Sequence, residues 1–200
     1  MIRVLTIVSV CFLFFSCKQK ENLKEILFIE KGKKVILYKN KERKISTITN
    51  RYDNGKLIKI IPNAKELNIK KSLIALRNKT YSLALKTRYY FHSEDSIVDV
   101  IIYEWNKAYE AKDYKELELI QANNIKYHDI YVAKFNQIST HLENIFGRPQ
   151  QGDGQIKEEV LIADMKRWHA SYLWTTTSGN YELELSLIPN TSYRVRLKVY

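Results

Sequence analysis

Four histidines are the side chains of this 200-residue chain best suited to hold a metal ion or to act as a general base. They are His92, His128, His141 and His169. No two of them lie three to five residues apart, the spacing that zinc-binding motifs use. The chain also lacks the Gly-x-Ser-x-Gly turn of serine hydrolases and a glycine-rich phosphate loop. We therefore expect a protein that is not an enzyme, with no catalytic residue, no metal site and no cofactor.

Two carboxylates interrupt the apolar stretch 97–105 and are a second candidate for acid–base chemistry. They are Asp99 and Glu104. Paired carboxylates can divide the acid and base roles when they face one another across a substrate. Positions 99 and 104 have opposite parity, so a strand directs them to opposite faces. We expect both to be solvated or at an edge, without a joint catalytic role.

The two cysteines lie within the first 17 residues, and Cys17 stands where an apolar segment meets a polar one. Arg3 precedes the almost wholly apolar run 4–15, which is shorter than the ~20 residues of a membrane-spanning helix. A positive start, a short apolar centre and a small-residue end are typical of a secretory signal. If the signal is removed before Cys17, Cys11 is lost with it. Cys17 is then the only cysteine of the mature chain.

Phe14-Phe15-Ser16-Cys17 resembles the lipobox of bacterial lipoproteins, with Phe14 and Phe15 replacing the usual Leu and small residue. The resemblance implies that the signal 1–16 is cut off. It also implies that Cys17 receives a diacylglycerol thioether and an acyl chain such as palmitate. Two or three acyl chains anchor a protein stably, because a single chain binds membranes only marginally. The alternative is an ordinary cysteine after a non-lipid signal or an uncleaved anchor.

This resemblance implies the cell envelope as location and a membrane, reached through the lipid anchor, as partner. Among Bacteroidota-type lipoproteins, which the chain resembles, acidic residues after the cysteine favour surface export. Lys18, Gln19 and Lys20 lack that signal. We therefore expect anchoring to the outer membrane on its periplasmic side.

The charge of the chain is strongly positive, with 33 Lys and Arg against 22 Asp and Glu and a net charge of +11. Loss of Arg3 with the signal leaves +10. Nucleic acid is not an expected partner of an exported protein, so the candidate partners are envelope proteins and anionic polymers or lipids. Alternatively, scattered lysines only solvate the surface. A hydrophobic fraction of 45% is typical of a globular protein and excludes a disordered chain.

The first half of the mature chain, 25–105, has the pattern of strands. After a tether at 17–24, we predict a single domain over 25–200, with extended segments at 26–29, 35–38, 45–49, 57–61, 67–75, 81–91 and 97–105. Asp53-Asn54-Gly55-Lys56 predicts a hairpin turn, since Asn and Gly tolerate positive φ. Apolar residues on both faces of 97–105 indicate a strand in the middle of the sheet.

The second half, 106–200, combines helices with strands. The clearest helix is 129–146, in which Asp129 is the predicted N-cap and Gly147 the C-terminal stop. Its apolar stripe consists of Tyr131, Phe135, Ile138, Leu142 and Ile145. His141 lies off that stripe. Weaker patterns favour helices at 106–121 and 158–167. They leave open whether 106–128 forms a separate helix or continues into the helix at 129–146.

The last three segments, 172–177, 181–188 and 193–200, read as antiparallel strands. Odd-numbered apolar residues point inward, which pairs Leu187 with Tyr193 and places Glu184 opposite Arg196. The same register places Glu182 opposite Lys198. The outward cations are a possible surface for an anionic partner: Arg194, Arg196 and Lys198.

The fold expected is α+β, with a mainly antiparallel sheet, one prominent packing helix at about 129–146 and a C-terminal three-stranded β-meander. The function expected is that of a membrane-anchored envelope lipoprotein acting as a non-enzymatic binding or structural module. The alternative is a lipid-anchored inhibitor or immunity-type protein that neutralises an exported toxin or hydrolase.

Overall fold

A computed structural model of the chain describes Leu23, Leu27, Ile61, Ile69 and the ranges 29–52, 71–77, 82–92, 94–161 and 164–200. The signal 1–16, Cys17 and the turn at 53–56 lie outside the described residues, as does most of the predicted strand 57–61.

In the described ranges, eight strands form one sheet in which every neighbouring pair is antiparallel, so the α+β, mainly antiparallel fold is observed. The order across the sheet is β1-β2-β3-β4-β8-β7-β6-β5. The strands are β1 Thr47–Tyr52, β2 Lys71–Arg77, β3 Leu85–Phe91, β4 Val98–Trp105, β5 Lys157–Val160, β6 Lys166–Thr176, β7 Gly179–Ile188 and β8 Ser192–Val199. β4 lies in the middle of the sheet, as its apolar faces predicted.

Three α-helices accompany the sheet in the described part of the chain: α1 Val35–Glu42, α2 Tyr114–Ala122 and α3 His128–Phe146. α1 packs on β1, β2 and β3, whereas α3 packs on β6, β7 and β8. Both helices contribute to the same large apolar core. A smaller core on the other face contains Ile61, Ile69, Tyr90, Val100 and Ile102. α1 and α3 therefore cover the same face of the sheet.

α1 corrects the prediction of a strand at 35–38. The local sequence Val35-Ile36-Leu37-Tyr38 has extended propensity, because two of its residues are β-branched. In the helix, Tyr38 and Glu42 lie four residues apart and are both buried against the sheet. Packing of this face overrides the weak local preference.

α3 confirms the clearest helix prediction. It buries four of the five stripe residues: Tyr131, Phe135, Ile138 and Leu142. Ile145 is exposed, whereas the next residue, Phe146, packs on Tyr181 of β7. Asp129 is not the N-cap, since the helix already starts at His128, and it lies in the first turn, where a carboxylate favours the helix dipole. Gly147 ends the helix with φ +77°.

The chain between β4 and α3 is divided rather than continuous. A short 3₁₀ helix at Lys107–Glu110 precedes α2, and another at Asn124–Tyr127 separates α2 from α3. The Asp113 carboxylate caps α2 by accepting a hydrogen bond from the Glu116 amide at 2.8 Å. None of the residues of α2 is buried.

The predicted helix at 158–167 is wrong, because this segment forms β5 and the start of β6. The two strands pair directly, with Glu158 opposite Trp168 and Glu159 opposite Arg167. Arg167 Nε lies 3.0 Å from Glu159 Oε2. Pairing with β6 decides the conformation of this polar segment, and a search for helical periodicity does not detect that pairing.

The register predicted for β7 and β8 is confirmed. Leu187 pairs with Tyr193 and Leu185 with Val195, while Leu183 pairs with Leu197. The inward-pointing residues of both strands are buried, as their odd parity requires. β8 also pairs with β4 along its other edge, so the last three strands continue into the larger sheet.

Candidate functional site

The outward-facing cations of β8, which we call the β8 outer face, are Arg194, Arg196 and Lys198. Alternation along the strand turns them away from α3, whose core contains Tyr193, Val195 and Leu197. β8 is an interior strand, so Arg196 and Lys198 have partners on both β4 and β7, whereas Arg194 is paired with β7 alone. These neighbours determine how much positive charge is presented to a partner.

Arg196 is engaged by Glu104, its direct partner across the β4–β8 pair. Arg196 Nε donates to Glu104 Oε2 at 2.8 Å. The Tyr109 hydroxyl donates to the other carboxylate oxygen, Oε1. Arg88 Nη1 lies 3.9 Å from Glu104 Oε2. Burial by itself raises the pKa of Glu104, but Arg196, Tyr109 and Arg88 together lower this pKa to about 2. Glu104 is therefore an ionised group held by cations.

The expectation that Glu104 is solvated or at an edge is wrong. The carboxylate is buried, because β4 lies in the middle of the sheet and the 3₁₀ helix that carries Tyr109 packs beside it. Sequence parity indicates the face of a strand but not the neighbours on that face. Asp99 is half-buried and pairs with His92, with 2.5 Å between Oδ2 and Nε2.

Lys198 and Arg194 also lie beside carboxylates of β7. Lys198 Nζ is 2.7 Å from Glu182 Oε1 and 3.7 Å from Glu184 Oε2, and the lysine is buried. Arg194 Nη2 is 3.9 Å from Glu184 Oε1 and its side chain is more exposed. Each cation of the β8 outer face thus lies beside a carboxylate of β4 or β7, and Arg194 is the most accessible of the three.

A buried cluster on the helix-covered face escaped sequence reasoning. Arg77 on β2 binds the Glu42 carboxylate of α1 through two nitrogens, with Nε at 2.9 Å from Oε2. The Tyr89 hydroxyl donates to Glu42 Oε1 at 2.6 Å. Burial alone lowers the pKa of Arg77, but the hydrogen bond and charge of Glu42 raise it on balance. Because the ion-pair side chains are fully inaccessible to solvent, this cluster is structural.

One weak sequence signal pointed to this cluster. Glu42 is the only acidic residue in the segment 31–44, which contains seven Lys or Arg. A lone carboxylate in a basic segment is a candidate for burial with a cation. Its partner Arg77 lies 35 residues away, and that separation hides the pair from any local pattern.

The histidines lie apart from one another on different elements. His128 Nδ1 is 3.0 Å from Asp129 Oδ1, and His141 is half-buried on α3. His169 on β6 lines an edge hollow of about 350 Å³ with Lys157 and Asp153. Within the described ranges, no three His, Cys, Asp or Glu side chains are grouped as a metal site would require.

Comparison with protein-family models, curated proteins and solved structures finds no significant match to this chain. Of the helices in the described part of the chain, none combines the length and apolar content needed to cross a membrane.

Proposed function

We propose that the chain is an exported lipoprotein held to a bacterial membrane by acylated Cys17, with a folded part that is a non-enzymatic binding or structural module. The observation that carries this proposal is Phe14-Phe15-Ser16-Cys17 at the junction of the apolar and polar segments. The fold is compatible with it, because the first described core residue, Leu23, follows Cys17 by only six residues. The folded part therefore begins directly behind the anchor.

The state of the two buried carboxylates argues against a general acid at either position. A general acid at neutral pH needs a raised pKa, yet the pKa of Glu104 is lowered to about 2. Glu42 is closed to solvent and so cannot reach a substrate. Both groups act as ion-pair partners that join elements of the fold.

The alternative proposal is a lipid-anchored inhibitor or immunity-type protein for an exported toxin or hydrolase. We propose that β6, β7 and β8 act as a C-terminal meander that presents the β8 outer face to such an envelope protein or to an anionic polymer. Arg194 is the cation best placed for this contact, because its side chain is more exposed than those of Arg196 and Lys198. A toxin gene beside this one, and inhibition of its product by the purified chain, would favour this alternative.

The lipid anchor is tested by metabolic labelling with an alkyne fatty acid. We expect Cys17→Ser to abolish labelling, to leave the uncleaved precursor and to move the protein out of the detergent phase. Cys11→Ser is the matched control, because Cys11 lies inside the signal and its loss leaves acylation intact. Undiminished labelling of Cys17→Ser would contradict the proposal.

A further inference from the structure

β5 lies at one end of the sheet, so one of its long edges faces away from every other strand of the described sheet. All four of its residues are exposed. Val160 at its end is 62% exposed, and Ile156 directly before it is 39% exposed. An edge strand carries backbone donors and acceptors that a further strand can use. The free edge of β5 is therefore a candidate surface for strand pairing.

The pairing of β5 with β6 fixes which backbone groups of β5 point to the free edge. The Leu161 amide donates to the Met165 carbonyl at 2.7 Å, in the register of the β5–β6 ladder. Hydrogen-bonded and non-hydrogen-bonded pairs alternate along an antiparallel ladder, so the odd-numbered residues of β5 bond to β6. Glu158 and Val160, at even positions, therefore direct their N–H and C=O groups outward.

The charges of β5 distinguish among the ways in which two copies of this strand can pair. A two-fold axis perpendicular to the sheet keeps every side chain on its own face, so the numbers of opposite residues sum to an even number. An axis at Glu158 places Lys157 of each copy opposite Glu159 of the other. An axis one residue away places Lys157 opposite Lys157, or Glu159 opposite Glu159. Like charges directly opposite one another destabilise a sheet, so the register centred on Glu158 is selected.

The other side chains of the strand fit the same register. Ile156 lies opposite Val160 of the second copy, and the symmetry makes this apolar pair twice. Glu158 lies opposite Glu158 across the axis. Each of these carboxylates already has a cation, because Lys166 Nζ lies 2.8 Å from Glu158 Oε1 within one chain. The single like-charge pair of the register is therefore compensated inside each copy.

We propose that two copies of this chain pair through β5, antiparallel about a two-fold axis at Glu158, and so join two eight-stranded sheets into one. Backbone hydrogen bonds hold the two strands together, and the side chains fix the register. Charged side chains usually protect an edge strand from pairing, whereas those of β5 are complementary to a second copy in this one register. Because β5 has only four residues, the interface is small and the dimer is weak and reversible.

The first test measures the dissociation constant of the dimer by analytical ultracentrifugation. It uses the lipid-free mature chain, residues 17–200 with Cys17→Ser, at concentrations up to about 1 mM, which cover weak complexes. We expect a monomer–dimer equilibrium. Val160→Pro should raise the dissociation constant at least about tenfold, because it removes two outward donors per dimer and leaves the ladder with β6 intact. The matched control, Val160→Ile, keeps the donor and should change the constant less than about threefold.

Charge reversal tests the register. Glu159→Lys places like charges opposite each other at both ends of the pairing and should raise the dissociation constant about tenfold. Adding Lys157→Glu makes the two copies complementary again and should bring the constant to within about threefold of the starting value. The same exchange on the exposed α2, Lys115→Glu with Glu118→Lys, is the control and should leave the constant unchanged.

Oxidative cross-linking locates the axis, because the Cys17→Ser mature chain has no other cysteine. In this background Glu158→Cys should form a disulfide-linked dimer, since opposite residues of a hydrogen-bonded pair have Cα atoms about 5.5 Å apart. Val160→Cys should stay monomeric, because the same register separates its Cα atoms by about 14 Å.

Three results would overturn the proposal. They are a chain that is monomeric at every concentration, a dimer that Val160→Pro and Glu159→Lys both leave unchanged, and equal cross-linking at positions 158 and 160. Far-UV circular dichroism of each variant separates loss of the dimer from loss of the fold. Because the protein is lipid-free, these outcomes are independent of whether cells acylate Cys17.

Discussion

Two clusters of similar composition lie on opposite faces of the sheet. Each has a carboxylate, a guanidinium and a phenol, which are Glu42, Arg77 and Tyr89 on one face and Glu104, Arg196 and Tyr109 on the other. The first joins α1 to β2 and β3, and its ion pair is closed to solvent. The second joins β4, β8 and a 3₁₀ helix, has Arg88 as a second cation beside Glu104, and retains some exposure. Similar groups are thus placed in two solvent environments.

The difference between the clusters shows that burial determines the consequence of losing a partner. When a buried charge loses its partner, no water can take the partner's place, so the free energy of unfolding falls strongly. At Glu104, the second cation Arg88 and the partial exposure of Arg196 compensate part of the loss. We therefore expect substitutions in the Glu42 cluster to destabilise the fold most.

The largest expected effect is that of Arg77→Met, which leaves Glu42 buried without a cation. The free energy of unfolding should fall by about 3–5 kcal/mol, as measured in urea titrations. The double variant Arg77→Met with Glu42→Leu should recover most of this loss, because no uncompensated charge remains. Arg196→Met is the comparison on the opposite face, and a loss equal to that of Arg77→Met would contradict the role of burial.

The second prediction concerns acid stability. The pKa of Glu104 in the folded chain is about 2, below its ordinary value of 4.5. A lowered folded pKa stabilises the fold above pH 4.5, and this stabilisation is lost as the pH falls towards 2. The Glu104 contribution is about 3 kcal/mol.

Urea titrations at a series of pH values check this contribution. The Glu104→Gln variant should be less stable than wild type at pH 7, and the difference should shrink between pH 4.5 and 2. Glu158→Gln on the exposed β5 is the control and should leave the pH profile nearly unchanged. A constant difference between wild type and Glu104→Gln across this range would show that the ionised form is not the stabilising one.

The smallest effect is expected for Glu184 and Arg196, which are direct cross-strand partners in the observed register. Because the Arg196 guanidinium is directed to Glu104, coupling to Glu184 should be only about 0.2–1 kcal/mol. Double-mutant cycles with Gln at each position measure both couplings. A Glu184–Arg196 coupling larger than that of Glu104–Arg196 would mean that Arg196 turns towards β7 in solution.

Local periodicity predicted the elements whose pattern is strong and whose burial is one-sided. α3 and the β7–β8 register followed from apolar residues at steps of three to four and of two, because these faces meet a core directly. α1 did not follow, since its buried face includes Glu42, whose partner Arg77 lies 35 residues away. β5 did not follow, since its four residues are all exposed and show no alternating apolar pattern, and its strand conformation comes from pairing with β6.

The sequence by itself determined the lipobox-like junction at Cys17, the excess of positive charge, the central position of β4 and the inward parity of β7 and β8. These features depend on residue type and short spacing along the chain. They can be derived without knowing which residues are neighbours in the folded structure. Only the tertiary structure decided which charges are balanced. It pairs Glu42 with Arg77 and Glu104 with Arg196. Ion pairs between distant strands and helices arise from sheet order, which residue spacing along the chain does not encode.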